Sequence, residues 1–189
     1  MSRGSTRNAP ATTRERVERA LDGLETSREE PRDGMTCVVV AAELLHTVLA
    51  RLKARAGFQA LTLVTCVDHL HGKRPEPRFE VVHQLHSLVH ADRVRVKTRV
   101  GADDPRVASC VDLWPGAGYM EREAFDMFGV VFEGNPDLRR LLMPEEYEHH
   151  PLRRDFPHQG IEPDLLYREW DRKRRAEWNS GSPDEGQAR

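Results

Sequence analysis

From Arg93 to Val100 the chain alternates strictly: Val94, Val96, Thr98 and Val100 interleave with Arg93, Arg95, Lys97 and Arg99. Successive side chains of a strand point to opposite faces, so this period of two commits one face to a core and the other to water. A strand so marked needs neighbours, and two candidates precede it. Ala60 to Leu70 is rich in β formers (Leu61, Leu63, Val64, Val67), and Arg78 to Leu88 reads as a second strand. His71 to Pro77, with Gly72, Pro75 and Pro77, is a turn between them. Connections this short favour antiparallel neighbours. Cys37 to Val40 is a further short, apolar and β-branched strand.

Helical periods flank this sheet. Thr12 and Glu15 can form a capping box, and Val17, Ala20, Leu21 and Leu24 then share one face, which predicts a helix from about Thr13 to Leu24. Thr26 to Gly34 reads as a charged linker. Leu44, Leu45, Val48, Leu49 and Leu52 predict a helix over about Ala42 to Ala56, closed by Gly57. A third helix runs from about Ala117 to Phe128 and ends at Gly129, followed by a short strand at Val130-Val131-Phe132 and a turn at Gly134-Asn135-Pro136. Asp137 to Met143 fits one helical turn and its exit. Beyond Pro144 periodic apolar content is sparse, save a weak helical stripe through Leu165, Leu166, Trp170 and Trp178. Met1 to Ala11 and Ser180 to Arg189 have the composition of disordered ends. The predicted fold class is α+β: a mixed, largely antiparallel sheet covered by helices, with an extended C-terminal interface segment. The expected divisions are a polar N-terminal segment (1–35), an α+β domain (36–157) and a tail (158–189).

The balance of charges removes some functions. Lys and Arg total 29 and Asp and Glu total 31, without the basic excess that nucleic-acid binding requires. Cys37, Cys66 and Cys110 lie far apart, so no clustered thiolates offer an iron–sulfur or structural zinc site, and their use suits a reducing, cytoplasmic setting. Cys66 reads as a small core residue, and Cys110 as a partly exposed one. The longest apolar run, Cys37 to Ala50, is broken by Glu43 and His46 and falls short of the about 20 residues of a membrane span. Membrane association must then go through a partner.

The densest chemistry lies between Trp114 and Pro157. Glu123 and Asp126 share a helical face, and Arg122, four residues before Asp126, can reach the same carboxylate. With Tyr119, Phe125, Met127 and Phe128 nearby, such charges must be paired, so Glu121, Arg122, Glu123 and Asp126 read as a structural ion-pair network that orients the following loops. Asp137, Arg139, Arg140, Arg153, Arg154 and Asp155 follow in a proline-rich frame. Their fork-shaped donors suit carboxylates or carbonyls on a partner surface. Catalytic use of the acids is disfavoured by Arg122 between them. His149, His150 and His158, with Glu145, Glu146, Glu148 and Asp155, lack a helical His pair and read as solvated or interface groups rather than metal ligands. His69, His71, His83, His86 and His90 read mostly as surface residues. Tyr167, Trp170 and Trp178 suggest a second contact surface.

The stretch Glu121-Arg122-Glu123 … Asp126-Met127-Phe128-Gly129, then Gly134 to Arg140, then Pro151-Leu152-Arg153-Arg154-Asp155-Phe156-Pro157 resembles the signature region of the C-type (30 kDa-type) subunit family of NADH:quinone oxidoreductase, respiratory complex I. The pattern extends from about Thr36 to Pro157 and includes Val67-Asp68-His69, Arg78 to Val82 and Val111 to Pro115. Asn135 stands where the family usually has His; it too offers donors and an acceptor. The resemblance implies a non-catalytic scaffold in the peripheral part of the enzyme, packed against the D-type subunit and adjacent iron–sulfur subunits, on the cytoplasmic side of the inner membrane. It also implies that this chain binds no cofactor, while NADH, FMN, iron–sulfur clusters and quinone sit on partner subunits. Two rival readings are an equivalent scaffold of a membrane-bound hydrogenase and a freestanding metal-dependent hydrolase.

Overall fold

The alternating segment forms β5 (Asp92–Val100), the middle strand of a five-stranded sheet in the computed structural model, which describes residues 12–72, 76–158, 160 and 164–181. β1 (Ser27–Glu29), β2 (Thr36–Val39), β3 (Ala60–Asp68) and β4 (Phe79–Ser87) complete the sheet, in the order β1-β2-β5-β4-β3. β3, β4 and β5 are antiparallel neighbours as the short connections predict, whereas β2 runs parallel to β5. The result is mixed and largely antiparallel.

Val94, Val96, Thr98 and Val100 of β5 lie opposite Leu85, His83, Val81 and Phe79 of β4, and this face is buried. α2 (Leu45–Ala56), entered through a 3-10 turn at Ala42–Leu44, presents Leu45, Val48, Leu49 and Leu52 to the same core. Each of these four is 0% exposed. Burying one such side chain stabilises by about 1.5–3 kcal/mol, so α2 anchors the module. Its end is set by Gly57, whose φ of 74° continues the chain where a side chain would be strained. α1 (Thr13–Ala20) has the predicted capping box at Thr12 and Glu15, stops four residues short of the expected Leu24, and adds Val17 and Ala20 to the core.

The charged linker contains β1, which pairs antiparallel with β2. Its charges explain why it is ordered: Glu29 accepts from Lys97 at 2.7 Å, and Asp33 pairs with Arg95 at 2.9 Å. The basic face of β5 is therefore not a free solvent face. Arg99 and Lys97 also hold the buried Glu80 at 3.1 and 3.2 Å. His83, expected at the surface, is fully buried because β4 is the second strand in from the edge and this position faces the core. Cys110, expected partly exposed, is fully buried, and Cys66 is in the core as expected.

Beyond the sheet, β6 (Arg106–Ala108) and β7 (Val131–Glu133) form a small parallel pair on either side of α3 (Ala117–Phe128). α3 packs on β3. Asp137 to Met143 forms turns and extended chain rather than a helical turn. α4 (Asp164–Gly181) covers the weak stripe; the side chains of Leu165, Leu166 and Tyr167 lie outside the described residues, as do 1–11 and 182–189, where disorder was expected. Ser180 and Gly181 belong to the helix rather than the tail.

Candidate functional site

The site is built on the buried face and C-terminus of α3. Glu121 is fully buried and accepts three hydrogen bonds: from the Ser109 hydroxyl at 2.7 Å, the Cys110 amide at 2.8 Å and the Asn135 amide nitrogen at 2.9 Å. Asn135, in the histidine position of the resemblance, is thus a neutral donor to a buried carboxylate. Asp126, one and a half turns on, is also fully buried. It accepts from the amides of Leu141, Leu142 and Met143 at 3.0, 2.7 and 2.9 Å and from the Arg140 guanidinium at 2.6 Å. Burial pushes its carboxyl up, but the amides of Met143 and Leu142 and the Arg140 charge outweigh this and hold it below the usual carboxylate range. These bonds also explain the missing helical turn at 137–143: amides that bond a carboxylate are not free to build a helix.

The last carbonyls of α3 organise the strap, residues 134–158. An α-helix leaves its last four carbonyls without internal partners. Here Phe125 accepts from the Gly129 amide at 2.8 Å, Asp126 from His150 Nδ1 at 2.9 Å, Met127 from the Leu152 amide at 3.1 Å and Phe128 from Arg153 Nε at 2.6 Å. The carbonyl fixes His150 as the Nδ1–H tautomer. Gly129 has a φ of 76°, strained for any other residue, and a Cβ there would also press on the ends of the Arg153 and His150 side chains beneath the strap.

A third carboxylate ties the strap to the sheet. Asp68, at the end of β3 and 3% exposed, accepts two bonds from Arg78 at 2.9 and 2.7 Å, and the amides of Leu70 and Arg154 at 2.9 Å each. Arg78 reaches on to Asp155 at 2.8 and 3.0 Å. Burial opposes ionisation of Asp68, but Arg78 and the two amides hold its carboxyl far below the ordinary range. The Arg78 guanidinium beside Asp155 lowers that carboxyl too.

The residues singled out in the sequence are thus distributed unevenly. Glu121, Asp126, Arg140 and Asp155 sit in these networks. Arg122 does not reach Asp126, whose oxygens are already taken. It donates to the carbonyls of Arg139 at 3.2 Å and Arg140 at 2.9 Å and pairs with Asp137 at 3.4 Å. Glu123 is exposed and outside the network. Arg139 is exposed and pairs with Asp137 at 2.8 Å. Arg153 is half-buried, and Arg154 is exposed with its Nη1 3.4 Å from the Leu70 carbonyl. Asp68 and Arg78 are the functional residues that sequence reasoning missed. The available signal was an aspartate at an inward position of an otherwise apolar strand.

Chemically, this arrangement positions loops. Its carboxylates are saturated with donors, and burial raises the thiols of Cys66, to about 12, and Cys110, away from reactive thiolate. Among the described residues no group of three or more His, Cys, Asp or Glu is placed to hold a metal ion, and no helix is long and apolar enough to cross a membrane. Around the strap, Tyr119, Leu142 and Leu152 are exposed beside Asp137, Arg139 and Arg154.

Residues 38–162 match the family described as respiratory-chain NADH dehydrogenase, 30 kDa subunit. The chain is 42% identical over 152 residues to the C-type subunit of NADH-quinone oxidoreductase from Trichlorobacter lovleyi, covering 79% of this chain and 93% of that one. Among solved structures, it is similar to the trypsin-resistant fragment (1–134) of Nqo5, with a TM-score of 0.61, 36% identity, and coverage of 67% of this chain and all of the fragment. It shares its fold with a chain of an archaeal membrane-bound sulfane sulfur reductase, at a TM-score of 0.64 and 24% identity over 92% of this chain and 94% of that one.

Proposed function

We propose that this chain, which belongs to the respiratory-chain NADH dehydrogenase 30 kDa subunit family, is a non-catalytic brace in the peripheral part of NADH-quinone oxidoreductase. In this reading the enzyme passes electrons from NADH through FMN and iron–sulfur centres on other subunits to quinone. The brace holds the D-type subunit and the neighbouring iron–sulfur subunits in register, on the cytoplasmic side of the inner membrane, and reaches the membrane only through the complex. Electron transfer and quinone reduction depend on placement to about an ångström, so rigid support has direct mechanistic value.

One observation carries the reading. The strap is held by buried carboxylates and helix carbonyls, yet from residue 133 to 158 no residue is fully buried. A loop so firmly shaped with so little core of its own is suited to present a surface. The similarity to a trypsin-resistant fragment of Nqo5, which covers 67% of this chain, supports a compact module shorter than the whole chain.

The test is to replace Arg139 or Arg153 with Ala in the assembled enzyme. Quinone reduction or assembly should fall, while NADH oxidation by artificial acceptors at the flavin survives. An isolated chain that turns over substrate, or an unaffected complex in both variants, overturns the reading.

A further inference from the structure

Arginines near the strap divide into two groups. Arg78, Arg122, Arg139 and Arg140 each lie within 4 Å of a carboxylate of this chain. Arg153 and Arg154 form no such ion pair among the described residues. Arg153 spends Nε on the Phe128 carbonyl, its guanidinium carbon stands 5.1 Å from the centre of the Phe79 ring, and its other nitrogens make no hydrogen bond among the described residues. Arg78 stands over the same ring at 4.9 Å. Arg153 is therefore half-buried beside a like charge: burial followed by Arg78 disfavours its charged form, and Asp155 and Asp68 offset this only in part. A nearby anion would relieve that cost.

The space in front of it suits an anion. A cleft of about 530 Å³ is lined by Arg153, Arg154, His71, His158, Leu152 and Phe156 among others, and among the described residues no Asp or Glu lines it. Asp155, the neighbouring acid in the chain, is turned onto Arg78. Leu152 and Phe156 supply apolar walls, and a partner seated against them would shield a charged hydrogen bond from water and so strengthen it.

We infer that this cleft receives a carboxylate side chain, an Asp or Glu, from the subunit that the chain braces. The inference rests on the docking role proposed above. A protein carboxylate matches the site better than a lipid headgroup. Arginine forks take carboxylate and phosphate alike, so the choice rests on the exposed Leu152 and the Phe156 wall of the cleft, which suit the mixed apolar and polar contact of a protein interface.

The assembled complex tests this with Arg154→Lys and, separately, His158→Lys, both at exposed positions that leave the Asp68 and Asp126 networks intact. A carbodiimide joins an amine to a carboxylate in direct contact. The expected result is a cross-link from position 154 or 158 to an Asp or Glu of another subunit, and for Arg154→Glu at least a tenfold faster loss of this chain from the complex. Cross-links confined to this chain, none from either lysine in an intact complex, or a bound phospholipid released by Arg154→Glu would overturn the carboxylate assignment alone. Recovery of the wild-type chain outside the complex would instead overturn the docking role.

Discussion

The sheet module and the strap are ordered by opposite means. In the module, α2 and the inner faces of β4 and β5 bury Leu49, Leu52, Phe79, Val81 and Val96 to 0% exposure, and non-directional apolar burial supplies the order. In the strap nothing is fully buried, and order comes from directional bonds to Asp126, Asp68 and the end of α3. The module thus specifies its own shape. The strap borrows its shape from three fixed points, and in the reading proposed above its exposed side chains serve another surface.

Substitutions can break this contrast, beginning with the largest effect. Leu52→Ala should cost about 2–5 kcal/mol of global stability in a denaturant titration and melt module and strap together. If only the strap loosened, the hierarchy would be wrong. Acid should separate the two regions next. Burial lowers His83 to about 4, below its value in the unfolded chain. The stability it allows is complete above about pH 6.5 and is lost as pH falls toward 4, by up to about 3 kcal/mol at 1.36 kcal/mol per unit. Asp68, Asp126 and Asp155 have lowered pKa values, so strap docking persists through that window and is lost only as pH falls below the ordinary carboxylate range. Tryptophan fluorescence of His83→Leu should show a flatter profile between pH 6.5 and 4 than the parent chain.

Asp126→Ala should leave three strap amides and Arg140 without their acceptor and cost the strap about 1–3 kcal/mol. Limited trypsin digestion should then cut within 134–158 faster, with the module fragment surviving. Equal resistance would show that apolar contacts, not Asp126, hold the strap. Glu123→Gln is the control: the residue is exposed and outside the network, so any change should stay within about 0.5 kcal/mol.

The same contrast explains what could be read in advance. The period of two in β5 and the helical stripe of α2 are local signals of apolar burial, and they delimit those elements closely. The strap obeys no such period. Asp137 to Met143 has the local look of a helical turn, but Asp126 claims its amides from a different element. Arg122 lies at helical spacing from Asp126, yet finds carbonyls of the strap instead. Asp68 and Arg78 are ten residues apart in sequence and become partners only when β3 and β4 pair. His83 looks polar in a list of residues and becomes core through its place on an inner strand. Directional bonds between distant segments leave little trace in a single sequence.

The most direct test of the strap as gripping surface is amide hydrogen exchange in the free chain and in the assembled enzyme. The module amides of β4 and β5 should exchange alike in both states, while those of Leu141, Leu142, Met143, Leu152 and Arg154 slow at least tenfold on assembly. Unchanged exchange across the strap, with slowing confined to another surface such as the outer face of β3, would contradict the account.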